Sequence, residues 1–302
     1  MSLRTAKLEV RSSSQLHLSG STAQSKPSAP SSTSKQSPDK MPATAAGTAA
    51  STEGQDTGMA PTRLGKVVIS GGMGSLGVLV TTWLTAAHVG CGPILLGRSG
   101  RLSQGSTAPF IKAQHANGAA VELTACDIGF NEDARAACAS HAAMTPSPTG
   151  FMHASGVLQD ALLGNQTLSG IRAVFASKVS GARTLMGALA HRPLGLTTLF
   201  SSVAGLLGSA GQGNYAAANA ILDSMVAESN LQGLVSSSVQ WGAWGGVGMA
   251  AQDASLAKRW ARVGMGSLTP LQGLQILHNI VAAPSSRAGS CTAAAVLYWD
   301  RL

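Results

Sequence analysis

A strand, Lys66–Ser70, runs straight into the turn Ser70-Gly71-Gly72-Met73-Gly74-Ser75-Leu76-Gly77, and a helical pattern, Leu76–His88, follows at once. This succession constrains the chain more than any other feature of it. Glycine suits a sharp turn because it has no Cβ, and the same lack lets an anionic group come close to peptide N–H donors. The helix start then adds aligned N–H groups and the positive end of its dipole. A glycine-rich turn alone is weak evidence, but between a strand and a helix in the first βαβ unit it reads as a dinucleotide-binding turn.

From Leu64 onward the chain keeps a βαβ rhythm. Strands are expected at Lys66–Ser70, Pro93–Gly97, Ala120–Ala125, Gly150–His153, Thr197–Ser201, Ser236–Gln240 and Ala294–Trp299. Helices are expected at Leu76–His88, Pro109–Asn117, Asn131–His141, Ser169–Ala190, Gly213–Gln232 and Pro270–Val281. The strands are short and continuously apolar, as when helices cover both faces of a sheet. The expected fold is therefore α/β, a Rossmann-type doubly wound parallel sheet of about seven strands. Residues 63–302 form this one domain. Residues 1–62, rich in Ser, Thr, Ala, Pro, Gln and Gly, read as a disordered low-complexity linker or tail. A transit peptide is the alternative, and the short apolar pieces near Leu8 and Leu16–Leu18 also fit the end of a preceding domain. Val67–Gly97 carries no charged side chain, yet its glycines and Pro93 break it too often for a membrane span.

The end of the second strand bears on the choice of cofactor. An acidic residue there would accept from a ribose 2′-hydroxyl, whereas Leu95-Leu96-Gly97-Arg98-Ser99 offers a guanidinium. Arg98 beside Ser99 favours a 2′-phosphate and hence NADPH, against a solvated surface arginine. After the third strand, Cys126-Asp127-Ile128 places Asp127 to accept from an adenine amino group. After the fourth, Ala154, Ser155 and Gly156 are small enough to leave room for a ribose.

Tyr215 and Asn219 lie four apart at the start of an Ala-rich helix, so they project from one face. Ser202 stands at the carboxyl end of the fifth strand, the edge where open α/β sheets bind ligands. Lys178 lies on the preceding helix. Together these groups suit carbonyl reduction. Negative charge building on the carbonyl oxygen needs donors and a proton. Tyr215 is the proton source, Ser202 holds the oxygen, and Lys178 is expected to lower a phenol pKa that is normally about 10. Asn219 is expected to fix Lys178 and a water chain. A strand-end cap, a solvated lysine and a core tyrosine are the plain structural readings of Ser202, Lys178 and Tyr215.

The stretches Leu199-Phe200-Ser201-Ser202-Val203-Ala204-Gly205 and Gly211-Gln212-Gly213-Asn214-Tyr215-Ala216-Ala217-Ala218-Asn219-Ala220 resemble the ketoreductase (KR) domains of polyketide synthases. Those domains belong to the short-chain dehydrogenase/reductase superfamily. They share Tyr-x-x-x-Asn with this chain, the lysine having moved to the earlier helix, where Lys178 matches. Gly156-Val157-Leu158-Gln159-Asp160, Gln240-Trp241-Gly242-Ala243-Trp244 and Leu268-Thr269-Pro270-Leu271-Gln272-Gly273 extend the likeness over residues 64–302. The resemblance implies NADPH-dependent reduction of a β-ketoacyl thioester in polyketide, or fatty-acid-like, biosynthesis. Its implied partners are an acyl carrier protein with a phosphopantetheine arm, other synthase domains and a structural reductase subdomain.

Some positions depart from the pattern. The family's Ser-Arg-Arg-Gly is Gly97-Arg98-Ser99-Gly100 here, one arginine fewer. Its Leu-Asp-Asp motif is Leu158-Gln159-Asp160, and Leu207 stands where a tryptophan marks the opposite product hand, which implies B-type stereochemistry.

The net charge of +8 is scattered, without clustered basic residues or interleaved aromatics, which argues against nucleic acid and leaves a bias toward anionic ligands or an acidic partner. Cys91, Cys126, Cys138 and Cys291 show no metal-ligand spacing, so no metal is expected. The expected location is cytoplasmic, or a plastid should the first residues be a transit peptide. Two competing readings remain, a non-catalytic NADPH-binding module and a free-standing reductase of small ketones.

Overall fold

Continuously apolar strands serve two cores at once, because successive side chains leave a strand on opposite faces. In the computed structural model, Val68, Ile94, Leu96, Phe151 and Leu199 enter one cluster. Their neighbours Val67, Ile69, Leu95, Met152 and Phe200 enter the other. The structure describes residues 5–10 and 64–298, apart from 89–90, 103–109, 111–112, 115, 117, 143–145, 248–257, 259 and 283–290. The expected helix at 109–117 therefore falls largely outside the described residues.

The strands are β1 Thr5–Val10, β2 Lys66–Ser70, β3 Gly92–Gly97, β4 Glu122–Ala125, β5 Pro148–His153, β6 Leu196–Ser202, β7 Ser237–Trp241, β8 Ala243–Trp244, β9 Met265–Leu268 and β10 Cys291–Leu297. They pair in the order β4-β3-β2-β5-β6-β7-β10-β9-β8. Every pairing from β4 across to β10 is parallel. These are the seven expected strands. Chain order reverses between β2 and β5, and the crevice at their carboxyl ends is the place for a ligand.

Three strands were not foreseen. β8 and β9 are short and pair parallel to each other, and β9 also pairs with β10. β1 runs antiparallel to β10 from Thr5↔Val296 to Val10↔Cys291. Here the disordered-tail reading of 1–62 needs correction for residues 5–10, where apolar and polar residues alternate with the two-residue period of a strand. Residues 1–4 and 11–63 lie outside the described residues.

On the first face pack α2 Asn131–Ala142, α4 Gly181–Leu189 and α6 Gly213–Leu231, through Ala134, Leu185 and Leu222 among others. On the second lie α1 Ser75–Ala87 and α7 Pro270–Val281, through Leu84 and Leu277. Each fully enclosed Leu or Phe stabilises the fold by about 2 kcal/mol. At the start of α7 Thr269 and Gln272 form a capping box on either side of Pro270. The long helix expected at Ser169–Ala190 is instead α3 Leu168–Phe175, a π-helical segment Ala176–Ser180 and then α4. The charge-free stretch Val67–Gly97 resolves into strand, turn, helix and strand. Among the described residues no helix is long and apolar enough to cross a membrane.

Candidate active site

Where β2 ends, Gly71 turns at φ 72° and its N–H donates to the Leu96 carbonyl at 3.0 Å. A Cβ on Gly71 would sit 2.8 Å from the Ser155 nitrogen, and one on Gly72 would sit 2.8 Å from the Ile69 carbonyl oxygen. A Cβ on Gly77 would run into the Gly71 carbonyl, so helix α1 lies directly on the turn. Met73 is buried and packs under Gly97. Gly74 caps α1 without a side-chain hydrogen bond, and no acidic residue occupies the first turn. That leaves a helix end suited to an anion.

Arg98 and Ser99 are exposed just past β3, in a turn where the Ser99 hydroxyl bonds to the Arg101 backbone. Asp127, past β4, is half-buried and accepts from the Gly129 N–H at 3.0 Å, with Ile128 buried beside it. These groups follow the carboxyl edge of the sheet away from the catalytic cavity.

The cavity is lined by Leu76, Ala154, Ser155, Leu158, Lys178, Ser202 and Tyr215 from the sequence reading. Gly156 supports it from outside the lining, since a Cβ there would lie 3.0 Å from Lys178 Cε. Lys178 is buried at the centre of the π-helical segment, and its ammonium donates to the Phe200 carbonyl at 3.0 Å. It lies 5.2 Å from the centre of the Tyr215 ring. Burial pulls its pKa down to about 7, with Asp223 opposing.

Tyr215 is nearly enclosed, and burial pushes its phenol up to about 12 despite hydrogen bonds from Asn219 and Ser202. The expectation that Lys178 lowers this pKa is not met, because loss of water around the ring outweighs the polar contacts. Ser202 also caps α5 Val203–Leu207 by accepting from the Ala204 N–H at 3.2 Å. Asn219, fully buried, donates to the Tyr215 carbonyl at 2.8 Å rather than holding Lys178, and its Oδ1 is enclosed without a partner.

The remaining sequence candidates lie around the cavity rather than in it. Gln159 and Asp160 are exposed, and Leu207 is 56% exposed at the end of α5. The 159–161 segment is laced to the residues before Tyr215. Gln212 Nε2 donates to both Asp160 oxygens at 3.2 and 3.1 Å, Asn214 Nδ2 to the Gln159 carbonyl at 2.8 Å, and the Ala161 N–H to the Gly211 carbonyl at 2.9 Å.

Gln212, Trp241 and Trp244 enter the sequence analysis only as points of resemblance, not as site residues. All three line the cavity, with Trp260. The available signal was position, since Trp241 ends β7 and Trp244 stands three residues on, at the ligand-binding edge of the sheet.

The family described as KR domain matches residues 65–246, more than half of the chain. The polyketide synthase GfsB of Streptomyces halstedii is 38% identical over 219 residues, which is 72% of this chain and 4% of that protein. The spectinabilin polyketide synthase system protein NorB of Streptomyces orinoci is 34% identical over 221 residues, covering 72% of this chain and 10% of that one. Among solved structures, an A-type ketoreductase from a modular polyketide synthase superposes with a TM-score of 0.71 at 31% identity, over 80% of this chain and 51% of that one. The ketoreductase from the first module of phoslactomycin biosynthesis in Streptomyces sp. HK803 gives 0.72 at 31%, over 78% and 53%. The chain thus spans a small share of these synthases and about half of the solved ketoreductases. With the turn, the cavity and these relatives in agreement, the chain belongs to the KR-domain family, the ketoreductases of polyketide synthases.

Proposed function

We propose that this chain reduces a β-ketoacyl thioester, presented on the phosphopantetheine arm of an acyl carrier protein, to the β-hydroxyacyl thioester, with NADPH as reductant. The observation that carries the reading is the convergence of Ser202, Tyr215 and Lys178 on one cavity that also reaches Leu76 in the first turn of α1. The fit to the cofactor is supported by the helix end, since Gly71, Gly72 and Gly77 let the turn pack directly under α1, whose first turn carries neither an acidic residue nor a side-chain cap. Gly71 to Gly77 and the start of α1 would hold the pyrophosphate, Ala154 to Gly156 the ribose beside Lys178, Arg98 with Ser99 the 2′-phosphate, and Asp127 the adenine. When bound, the reduced nicotinamide supplies hydride to the carbonyl carbon.

The residues of the chain manage the oxygen. Ser202 and Tyr215 donate to it, and the high pKa of Tyr215 keeps the phenol protonated and ready to give its proton as charge builds. The phenolate left behind faces Lys178, whose ammonium keeps two donors beyond the one spent on Phe200. The unpartnered Asn219 Oδ1 is an acceptor for the water that returns the proton. B-type stereochemistry is supported by Leu207 in place of a tryptophan and by Asp160, held by Gln212 beside the cavity. An acidic carrier protein suits the +8 charge, and other synthase domains, including a structural reductase subdomain, suit a chain that spans so little of its relatives.

The test is loss of reduced-nicotinamide absorbance when the full chain meets NADPH and a β-ketoacyl thioester of pantetheine. Turnover supports the reading. Binding of NADPH without turnover of any such thioester favours the non-catalytic module instead.

A further inference from the structure

Beneath α6 the sheet turns polar. Ser201 follows Leu199 of the first core by two residues on β6, and Ser238 and Gln240 flank Val239 of the second core on β7, so all three face α6. All three are buried, and each finds its partner on that helix. The Ser201 hydroxyl donates to the Asn219 carbonyl at 3.2 Å, the Gln240 amide to Asp223 Oδ2 at 2.8 Å, and the Ser238 hydroxyl to Asp223 Oδ1. Ser201 and Gln240 are register partners, so these contacts form one polar seam across two strands.

Tyr215, Asn219 and Asp223 follow at intervals of four along α6 and share a face. Around Tyr215 and Asn219 the helix offers small contacts, since residues 216–218 and 220 are alanine. Apolar burial has no direction, and alanine methyls would let a helix turn on the sheet with little loss. A carboxylate held by two donors does have direction. Side chains reach about 5–6 Å from a helix axis, so a turn of about 10° moves their ends by about 1 Å. A displacement of that size can slow a reaction about 10²-fold. Strand β6 is the common reference: its Phe200 carbonyl holds the Lys178 ammonium, its Ser201 hydroxyl holds α6, and its Ser202 lines the cavity.

We propose that Asp223 is a positioning residue, whose grip on Ser238 and Gln240 fixes the rotation of α6 on the sheet and so the place of Tyr215 beside Ser202 and Lys178. This rests on the functional reading above. Asp223 does not line the cavity and acts through the helix.

The experiment makes the seam apolar by combining Asp223→Leu, Ser238→Ala and Gln240→Met in the full chain. Donors and acceptors leave together, so no buried polar group is orphaned and stability in urea stays near native. Turnover nevertheless suffers: kcat falls about 10- to 100-fold, with the thioester KM and the NADPH affinity by fluorescence unchanged. Asp223→Asn keeps a carbonyl for Ser238 and presents an amide to Gln240, whose own carbonyl can turn to meet it, and retains most of the native kcat. Asp223→Glu keeps the charge but lengthens the grip by one methylene, and lowers kcat by about threefold or more. That pair carries the test if the triple variant does not fold. In a Tyr215→Phe background the triple substitution lowers the residual rate by less than about twofold, because the group it positions is already gone.

Native kcat in a folded triple variant, an Asp223→Glu variant more active than Asp223→Asn, or a loss that persists undiminished without the Tyr215 hydroxyl overturns the positioning role while leaving the functional reading intact. Absence of turnover in the unsubstituted chain overturns both.

Discussion

Alanine at position 71 tests whether the cofactor turn is built on glycine for a steric reason. Gly71 has φ 72°, in the left-handed region, where a Cβ costs about 1–2 kcal/mol. The same Cβ would lie 2.8 Å from the Ser155 nitrogen and 2.9 Å from the Ala154 carbonyl carbon, both backbone atoms held by the Ala154-to-Ser70 hydrogen bond. Forcing atoms into a packed site adds about 1–3 kcal/mol. Gly233, just past the end of α6, is the control, since its φ is 80° but nothing lies within 4 Å of its Cβ position. Urea and thermal unfolding of Gly71→Ala should show a loss of about 2–5 kcal/mol, and of Gly233→Ala only about 1–2 kcal/mol. In melting temperature each kcal/mol is about 2–4 °C for a domain of this size. Gly71→Ala should also weaken NADPH binding at least tenfold, which Gly233→Ala should not. Equal losses in the two variants would refute the argument that backbone approach, rather than the turn angle alone, demands glycine at 71.

Other consequences concern charge and packing. Lys178 titrates at about 7 in the folded chain and at 10.5 when unfolded, so between those values the unfolded state binds the extra proton and stability rises with pH. Urea unfolding at pH 7 and pH 8.5 should show that rise in the native chain and lose it in Lys178→Met. The variant should be more stable at pH 7 by a few kcal/mol, at about 1.4 kcal/mol for each tenfold loss of proton affinity on folding. An unchanged pH dependence would contradict the burial of the amine. Arg98→Ala should weaken NADPH at least tenfold while leaving NADH nearly untouched, measured by fluorescence titration, and equal losses would remove Arg98 from the phosphate. A Cβ on Gly273 runs into the Trp244 ring, so Gly273→Ala should cost about 1–3 kcal/mol and disturb near-ultraviolet dichroism.

Much of this arrangement is readable from the residues alone. The central strands announce themselves because they are apolar on both faces, as Val67, Val68 and Ile69 show in alternating between the two cores. Ser202 and Tyr215 were legible by position, one at a strand end and one at a helix start. The short strands β8 and β9 were not, since two residues of Ala-Trp and the sequence Met-Gly-Ser-Leu carry no usable period. The π segment escaped notice for a similar reason, because an extra residue in a helical turn leaves no compositional mark. Tyr215 and Lys178 came together as expected, yet their pKa values depend on how much water the fold removes, which spacing does not record. Gln212 carries no signal of its own in the sequence, and only its burial and its place on the cavity wall mark it.

Comparing Tyr215→Phe with the native chain tests the central claim most directly, by NADPH consumption with a β-ketoacyl pantetheine thioester and by NADPH affinity. The substitution removes one hydroxyl, bonded to Ser202 and Asn219, and leaves the ring in its packed place. The account predicts unchanged NADPH binding and a fall in turnover of about 10²–10⁴-fold, the range for a lost general acid. Turnover within threefold of the native rate would contradict it, because the proton would then come from another group.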